Sequence, residues 1–580
     1  MLFKKYSKLQ IIIILLLLIS LVVQGIVSIK QNSVTWDETC FIGHGKAIFD
    51  TGYMRYMLLM DHPPLSYYIN SILLLPLKFD KSIWEPYPES DFECYEIGQK
   101  VLFHSGYDFR KILFVSRLPF VLLSVILAFY VLNWATQLYG KKSGIIALLL
   151  YSFNPSIIAY STLALSDFVL AVMVFIATYY FWKLLKEKSK KNLILTGIFF
   201  GLALLSKTTA IMLIPLFIII GFIAIHKKKN KLNTKTLIKY FFAIFIITMI
   251  LVLVFHKFQF DTFKNSLPKG YYSDKTRSEL SKIPYLSKPL LFIYDKVPLP
   301  APIFFGSIGK IFYISLKGNP GFVFGKITDG IVWYFALLTF FLKTGLPLLT
   351  ILLLLLIFHK RLPKKDIITN ISLILPILLI FLILSNTNKM SGVKHILTIY
   401  PFLFVLTSNI INIKIKQKKY FNLMIYALLF FYVLSTVLAA PFYLSYINIL
   451  GGGPNNAWKI TVGSNIDFSQ DLDGLRKFME RNNIEKINLS YWGSVDPKYY
   501  NISYEFMPSP CFQPWGPNYV PFLEGKCEDS KDCSERKGII AISITNLQNV
   551  HLSNKTCYDW LKNYDPIEKI GYSIFIYNVT

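Results

Sequence analysis

Long uncharged apolar runs constrain this chain more than any other feature. Ile11–Leu18, Ile351–Ile357 and Ile371–Leu384 contain no charge and sit inside still longer apolar stretches. Many of those stretches approach the roughly 20 apolar residues needed to cross a bilayer. Ordinary core strands are shorter and better punctuated by charge. Only 16% of the 580 residues are charged and 54% are hydrophobic, whereas soluble domains run nearer a quarter charged. The expected fold class is a polytopic α-helical membrane protein.

Eleven spans are predicted, at about 9–29, 112–138, 143–160, 168–185, 192–206, 208–226, 237–256, 331–358, 367–384, 396–411 and 421–440. The first follows Lys4, Lys5 and Lys8 and is too long for a cleaved signal, so it reads as a retained helix that starts in the cytoplasm. Charge supports this threading. The N-terminus, Lys141–Lys142 and segments 183–191, 226–239, 359–366 and 412–419 together hold 24 Lys/Arg and two acids, Glu187 and Asp366. Short basic loops face the cytoplasm. They carry +22 of the formal net charge of +27, so the basic balance records orientation and nucleic acid drops out as a partner. Ser66–Leu77 is too short to cross and reads as an interfacial or re-entrant helix. Arg110, Lys111 and Arg117 then fall on the outer side, against the charge rule.

The division expected is a membrane domain over 1–440, with outer loops 30–110 and 257–330, and an extracytoplasmic domain over 441–580. In the latter, Asp471–Asn482 reads as a helix with Leu475 and Phe478 on one face, and Ile487–Tyr491 and Ile539–Ile544 as strands. A small α/β or α+β domain follows. All six cysteines (Cys40, Cys94, Cys511, Cys527, Cys533, Cys557) fall in outer segments. That placement suits disulfides, with Cys40–Cys94 tying the first outer region and three pairings open to the tail. Six unpaired thiols are the alternative. Four N-x-Ser/Thr sequons, at Asn488, Asn501, Asn554 and Asn578, agree with an outside location.

Ionisable groups near the outer face are the candidates for chemistry. Thr35-Trp36-Asp37-Glu38 opens the first outer region, and a carboxylate there serves either as a general base or divalent-cation ligand or simply as a helix N-cap. Asp61-His62-Pro63-Pro64 places a histidine beside a rigid helix entry, where it donates to a phosphate, orients a carboxylate or is an ordinary surface residue. Asp167 begins the fourth span as a second acid or as an N-cap. Lys207 lies at an outer turn, Lys343 interrupts an apolar stretch, and Lys389, Lys394 and His395 cluster at another turn. Any one lysine can simply snorkel. Gathered on the side of the acids, they suit an anionic phosphate arriving from the lipid layer.

In order, these residues resemble the GT-C fold membrane glycosyltransferases, specifically the protein O-mannosyltransferase and aminoarabinose-transferase-like group, glycosyltransferase family 39 and its relatives. The resemblance rests on Trp-Asp-Glu at 36–38, His-Pro-Pro at 62–64, Leu-Ser-Asp at 165–167, Gly-Leu-Ala-Leu-Leu-Ser-Lys at 201–207, Phe-Leu-Lys-Thr at 341–344 and Lys-His-Ile-Leu-Thr-Ile-Tyr-Pro at 394–401. Gly451-Gly452-Gly453-Pro454, Gly463-Ser464-Asn465-Ile466-Asp467 and Gln470-Asp471-Leu472 continue it. The chain departs from the group at Gly345, where a proline is usual, and at Lys394-His395, where Arg-Tyr is usual; Lys gives up bidentate phosphate contact. The insertion 80–110 lengthens the first outer region.

The resemblance implies sugar transfer from a polyprenyl- or dolichyl-phosphate carrier to a protein hydroxyl or glycolipid acceptor outside the cytoplasm. It implies Asp37 as the base, with inversion, and Glu38 and Asp167 shaping the acceptor site. His62, Lys207, Lys343, Lys394 and His395 are implied to hold the leaving phosphate, and the spans to groove the isoprenoid tail. No cofactor is required by the motifs, and a divalent cation is left open. The competing classes are a lipid-phosphate-sugar transporter or flippase, which would show hydropathy repeats and midplane charges, and a surface-anchored binding protein worked by 441–580.

Overall fold

The computed structural model describes residues 6–52, 54, 62–85, 93–227, 232–266, 277–282, 286–317, 320–388, 390–510 and 532–580. Among them, seven helices are long and apolar enough to cross a membrane: Lys8–Gln31, Phe109–Tyr139, Ser166–Glu187, Thr208–His226, Thr234–Phe255, Ile367–Ser385 and Lys418–Ala439. Large apolar side chains stand exposed on them, such as Leu16, Phe242, Leu382 and Leu438. Apolar surface of that extent fits a lipid environment.

The eleven expected spans are thus not reproduced as eleven long helices, and proline explains two of the differences. Segment 143–160 is broken into Lys141–Ser152 and Pro155–Tyr160, with Asn154 capping the second piece. The ring of Pro155 crowds the carbonyl four residues back, at Tyr151, which disfavours continuing the first helix through it. Segment 331–358 is bent by 113° between Phe335–Lys343 and Leu346–Ile357, where Pro347 stands in the same relation to Lys343. If that bent pair is one span, the number rises to eight. Lys190–Ser206 is 17 residues long, and Ile399–Asn412 is a shorter apolar helix. So is Leu65–Leu74, the segment read as non-crossing.

The chain forms two compact units. One comprises Glu38–Pro119 and Ala164–Lys317. Within it, helix Lys190–Ser206 packs against both Ser166–Glu187 and Thr234–Phe255. A Cβ on Gly201 would lie 2.8 Å from Leu251 Cδ1, and one on Gly197 would lie 2.9 Å from Ile247. These two glycines, four residues apart on one face, let the helices approach closely, as small residues do in membranes. Helix Glu38–Thr51 is joined to Glu93–Phe103 by the Cys40–Cys94 disulfide.

The other unit comprises Met1–Asp37, Phe120–Leu163 and Gly318–Thr580. It holds the apolar helices Lys8–Gln31, Ile367–Ser385 and Lys418–Ala439 and a five-stranded sheet, whose order is Tyr504–Phe506, Ile487–Ser490, Gly538–Ser543, Ile574–Val579 and Glu568–Ile570. The first three strands run parallel and the last two pairings are antiparallel. Helix Leu472–Arg481 precedes the sheet and buries Leu475 and Phe478, as the periodicity predicted. Strand Gly538–Ser543 lies between two partners in the sheet and is buried from Ile540 to Ser543, and burial on both faces makes a strand a nearly continuous apolar run. Ile540, Ile542, Phe575 and Tyr577 form a core that also contains Phe322, Leu342 and Ile447. A second disulfide joins Cys533 to Cys557. Cys511 and Cys527 lie outside the described residues.

Candidate functional site

The eight expected site residues divide between the two units, and each group is described by itself. In the sheet-bearing unit stand Asp37, Lys343, Lys394 and His395; in the other stand Glu38, His62, Asp167 and Lys207.

Asp37 follows a short extended stretch after helix Lys8–Gln31. Its Oδ2 accepts from Lys394 Nζ at 2.9 Å. The lysine side chain is 12% exposed and the aspartate 22%, so the pair is open to small reactants. The ammonium also lies 4.7 Å from the centre of the Phe468 ring, a cation on an aromatic face. Lys394 and His395 are carried on the tight turn Gly392–His395. That turn exists because Gly392 adopts a φ of +78°, and a Cβ there would meet Asn465 Oδ1 at 2.7 Å. Val393 N–H donates to the same Asn465 oxygen at 2.9 Å.

Lys343 departs from its expected role. Its Nζ is fully buried and donates to the backbone carbonyls of Leu444 at 2.7 Å, Tyr446 at 3.0 Å and Asn465 at 2.5 Å. An ammonium has three N–H donors, and all three are used. It ties the end of a bent helix to the segment leading into the sheet and leaves nothing for a phosphate. Lys389, grouped with Lys394 in the sequence, lies outside the described residues.

In the second group, Glu38 is the first residue of helix Glu38–Thr51. Arg117 grips it in a two-pronged pair, Nε to Oε1 at 2.8 Å and Nη2 to Oε2 at 2.5 Å, and the Ala164 N–H donates to Oε1 at 2.8 Å. Both side chains are 0% exposed. Arg117 is not among the residues that the motifs single out, although its place on the wrong side of the charge rule is a signal that something pairs it. Asp167, in the first turn of Ser166–Glu187, bonds Lys207 Nζ at 2.6 Å, and both are 5% exposed. Lys207 caps the end of Lys190–Ser206. His62 is half-buried with its ring 5.5 Å from that of Phe41; its neighbour Asp61 lies outside the described residues.

The three expected acids therefore each meet a cation: Asp37 with Lys394, Glu38 with Arg117, and Asp167 with Lys207. Among the described residues, no group of three or more His, Cys, Asp or Glu side chains is disposed to hold a metal ion.

Residues 109–256 match the family model described as dolichyl-phosphate-mannose-protein mannosyltransferase. The chain is thus similar, over this region, to the GT-C glycosyltransferase group that its motifs resemble. No curated protein matches it. The crystal structure of ArnT from Cupriavidus metallidurans bound to undecaprenyl phosphate overlaps 97% of this chain and 97% of that one, at 10% identity and a TM-score of 0.43. The apo oligosaccharyltransferase of Archaeoglobus fulgidus overlaps 84% of this chain and 63% of that one, at 12% identity and a TM-score of 0.40.

Proposed function

We propose, from the family likeness over residues 109–256, that the protein transfers a sugar from a polyprenyl- or dolichyl-phosphate carrier to an acceptor hydroxyl. One observation carries the assignment of the base. Of the three ion pairs formed by the candidate acids, Asp37–Lys394 is the most open, at 22% and 12% side-chain exposure, while the other two are sealed at 5% or less. A base must reach the proton it removes.

The acceptor oxygen attacks the anomeric carbon, its proton passes to the Asp37 carboxylate, and the bond from that carbon to the phosphate oxygen breaks. The carrier phosphate leaves with the electron pair, and attack from the opposite face inverts the anomeric centre. Lys394 holds the carboxylate in place before the acceptor arrives and offers positive charge to the departing phosphate, and the resemblance implies that His395 helps to hold that phosphate. The resemblance implies a phosphate-holding role for His62 and Lys207, and a part in shaping the acceptor site for Glu38 and Asp167. The sealed pairing of Glu38 and Asp167 supports shaping over direct proton transfer. The concentration of Lys and Arg in short loops supports a cytoplasmic N-terminus and an outer face for the chemistry.

The test is reconstitution of the full chain in liposomes with radiolabelled dolichyl-phosphate-mannose and a Ser/Thr-rich peptide, with a lipid extract as a second acceptor. Label transferred to either acceptor is the expected result. Movement of labelled lipid between leaflets without transfer to any acceptor would overturn the reading in favour of a transporter.

A further inference from the structure

Asp37 and Lys394 are 357 residues apart in sequence, so something must hold each of them to the other. The segment Asp467–Asp471 touches Lys394 and the residues just before Asp37. The Trp36 N–H, one residue before Asp37, donates to the Phe468 carbonyl at 3.2 Å. The Ser33 N–H donates to the Gln470 carbonyl at 2.8 Å. From the sheet region, Ser494 Oγ donates to the Trp36 carbonyl at 2.8 Å, and the Trp492 ring stacks on Trp36 with centroids 4.4 Å apart. The approach to Asp37 is therefore fixed at both backbone groups of Trp36.

Phe468 itself is fixed. Its N–H donates to Gln470 Oε1 at 2.7 Å, and the amide of that glutamine donates to the Ile466 carbonyl at 2.8 Å. The turn closes through Ser469, which adopts a φ of +72°. Phe468 is 5% exposed, and its ring face lies 4.7 Å from the Lys394 ammonium that bonds Asp37. An ordinary core position would accept any apolar side chain of this size. A face shared with an ammonium needs the negative quadrupole of an aromatic ring.

We propose that Phe468 is a positioning residue for the reaction: its carbonyl anchors the backbone beside Asp37, and its ring holds the Lys394 ammonium at the Asp37 carboxylate. This rests on the reading of Asp37 as the base. It also gives the sheet region a part in the chemistry, since the residue that aligns the pair belongs to the segment leading into that sheet.

The experiment uses the full chain in liposomes, with dolichyl-phosphate-mannose as donor, and separates kcat from KM. Phe468→Leu keeps the carbonyl and removes the aromatic face; kcat is expected to fall about tenfold with the donor KM unchanged. Phe468→Tyr keeps the face and is expected to stay within about twofold of wild type. A trifluorinated phenylalanine at 468 keeps the shape and weakens the face, so it tests the idea even if the leucine variant does not fold; its kcat should lie nearer the expected leucine value. Equal losses in the leucine and tyrosine variants, or wild-type kcat with the fluorinated ring, would overturn the proposal while leaving Asp37 as base. Asp37→Asn run alongside distinguishes the two failures: full activity there, or no transfer by the wild type, overturns the reading on which the proposal rests and the proposal with it.

Discussion

Asp37 and Glu38 are neighbours in sequence and opposites in environment. Glu38 is fully buried, and its two oxygens receive a two-pronged arginine and a backbone N–H. Asp37 is partly open and receives one lysine ammonium. The cations differ as much as the acids. A guanidinium locks a carboxylate in one plane, whereas a lysine is a point charge on a flexible stem that can shift toward another anion. A carboxylate that must accept a proton and a cation that must follow a phosphate need the second arrangement. The first is what holds a helix start in place.

The largest effect expected from this contrast is on turnover. Asp37→Asn should lower transfer by about 10²–10⁴-fold, the range for a general base, with thermal unfolding close to wild type. Activity within tenfold of wild type would place Asp37 with its structural neighbour and break the comparison.

Glu38→Gln should behave in the reverse way. It leaves Arg117 buried without its charge partner, which costs about 3–5 kcal/mol, and the variant should show a lower melting temperature and poor extraction from membranes. Glu38→Gln combined with Arg117→Met removes the orphaned charge and should recover much of that loss. A single variant as stable as wild type but inactive would mean that Glu38 belongs to the chemistry.

The Asp167–Lys207 pair sharpens the boundary between the two classes. Both side chains are buried and their contact is 2.6 Å, yet the cation is a lysine, so the pair shares one property with each class. Burial should decide. Lys207→Met is expected to destabilise by about 3–5 kcal/mol, measured by thermal unfolding in detergent. A variant with wild-type stability and a raised donor KM would instead move Lys207 to the phosphate, as the resemblance implies.

Much of this molecule was legible before the structure, and the unread parts have a common cause. Apolar runs and short basic loops reveal membrane helices because both signals are local. Proline is local too, but its consequence is not: Pro155 and Pro347 end helices, while Pro119 and Pro376 sit inside Phe109–Tyr139 and Ile367–Ser385. Which outcome occurs depends on the surroundings of each segment. The motifs gather Asp37 and Lys394 on one side but assign the lysine to a phosphate; that it bonds Asp37 is visible only in the structure. Lys343 could not be read either, because its three carbonyl partners come from more than 100 residues away in sequence. Phe468 is illegible for the opposite reason: an isolated phenylalanine in an apolar chain carries no signal of its own.

The smallest effect concerns a third class of carboxylate, buried like Glu38 but held by neutral partners. Asp467 accepts from Thr545 Oγ1 at 2.6 Å and Asp471 from Ser573 Oγ at 2.6 Å. Burial pushes both up to about 7, and the charge of Asp467 raises Asp471 further. An unfolded chain titrates these groups near 4, so between about pH 4 and 7 the folded state binds more protons than the unfolded one. Stability must then fall as pH rises through that window: the contribution is fully present below the unfolded value and lost above the folded one. Asp467→Asn keeps a neutral side chain at every pH and should flatten this part of the curve, leaving the variant on the order of 2 °C more stable than wild type at pH 8 relative to their difference at pH 5. A melting temperature that rises with pH in the wild type, and rises equally in the variant, would show that these carboxylates are charged in the fold. They would then join Glu38, and burial alone would not separate a neutral acid from a paired one.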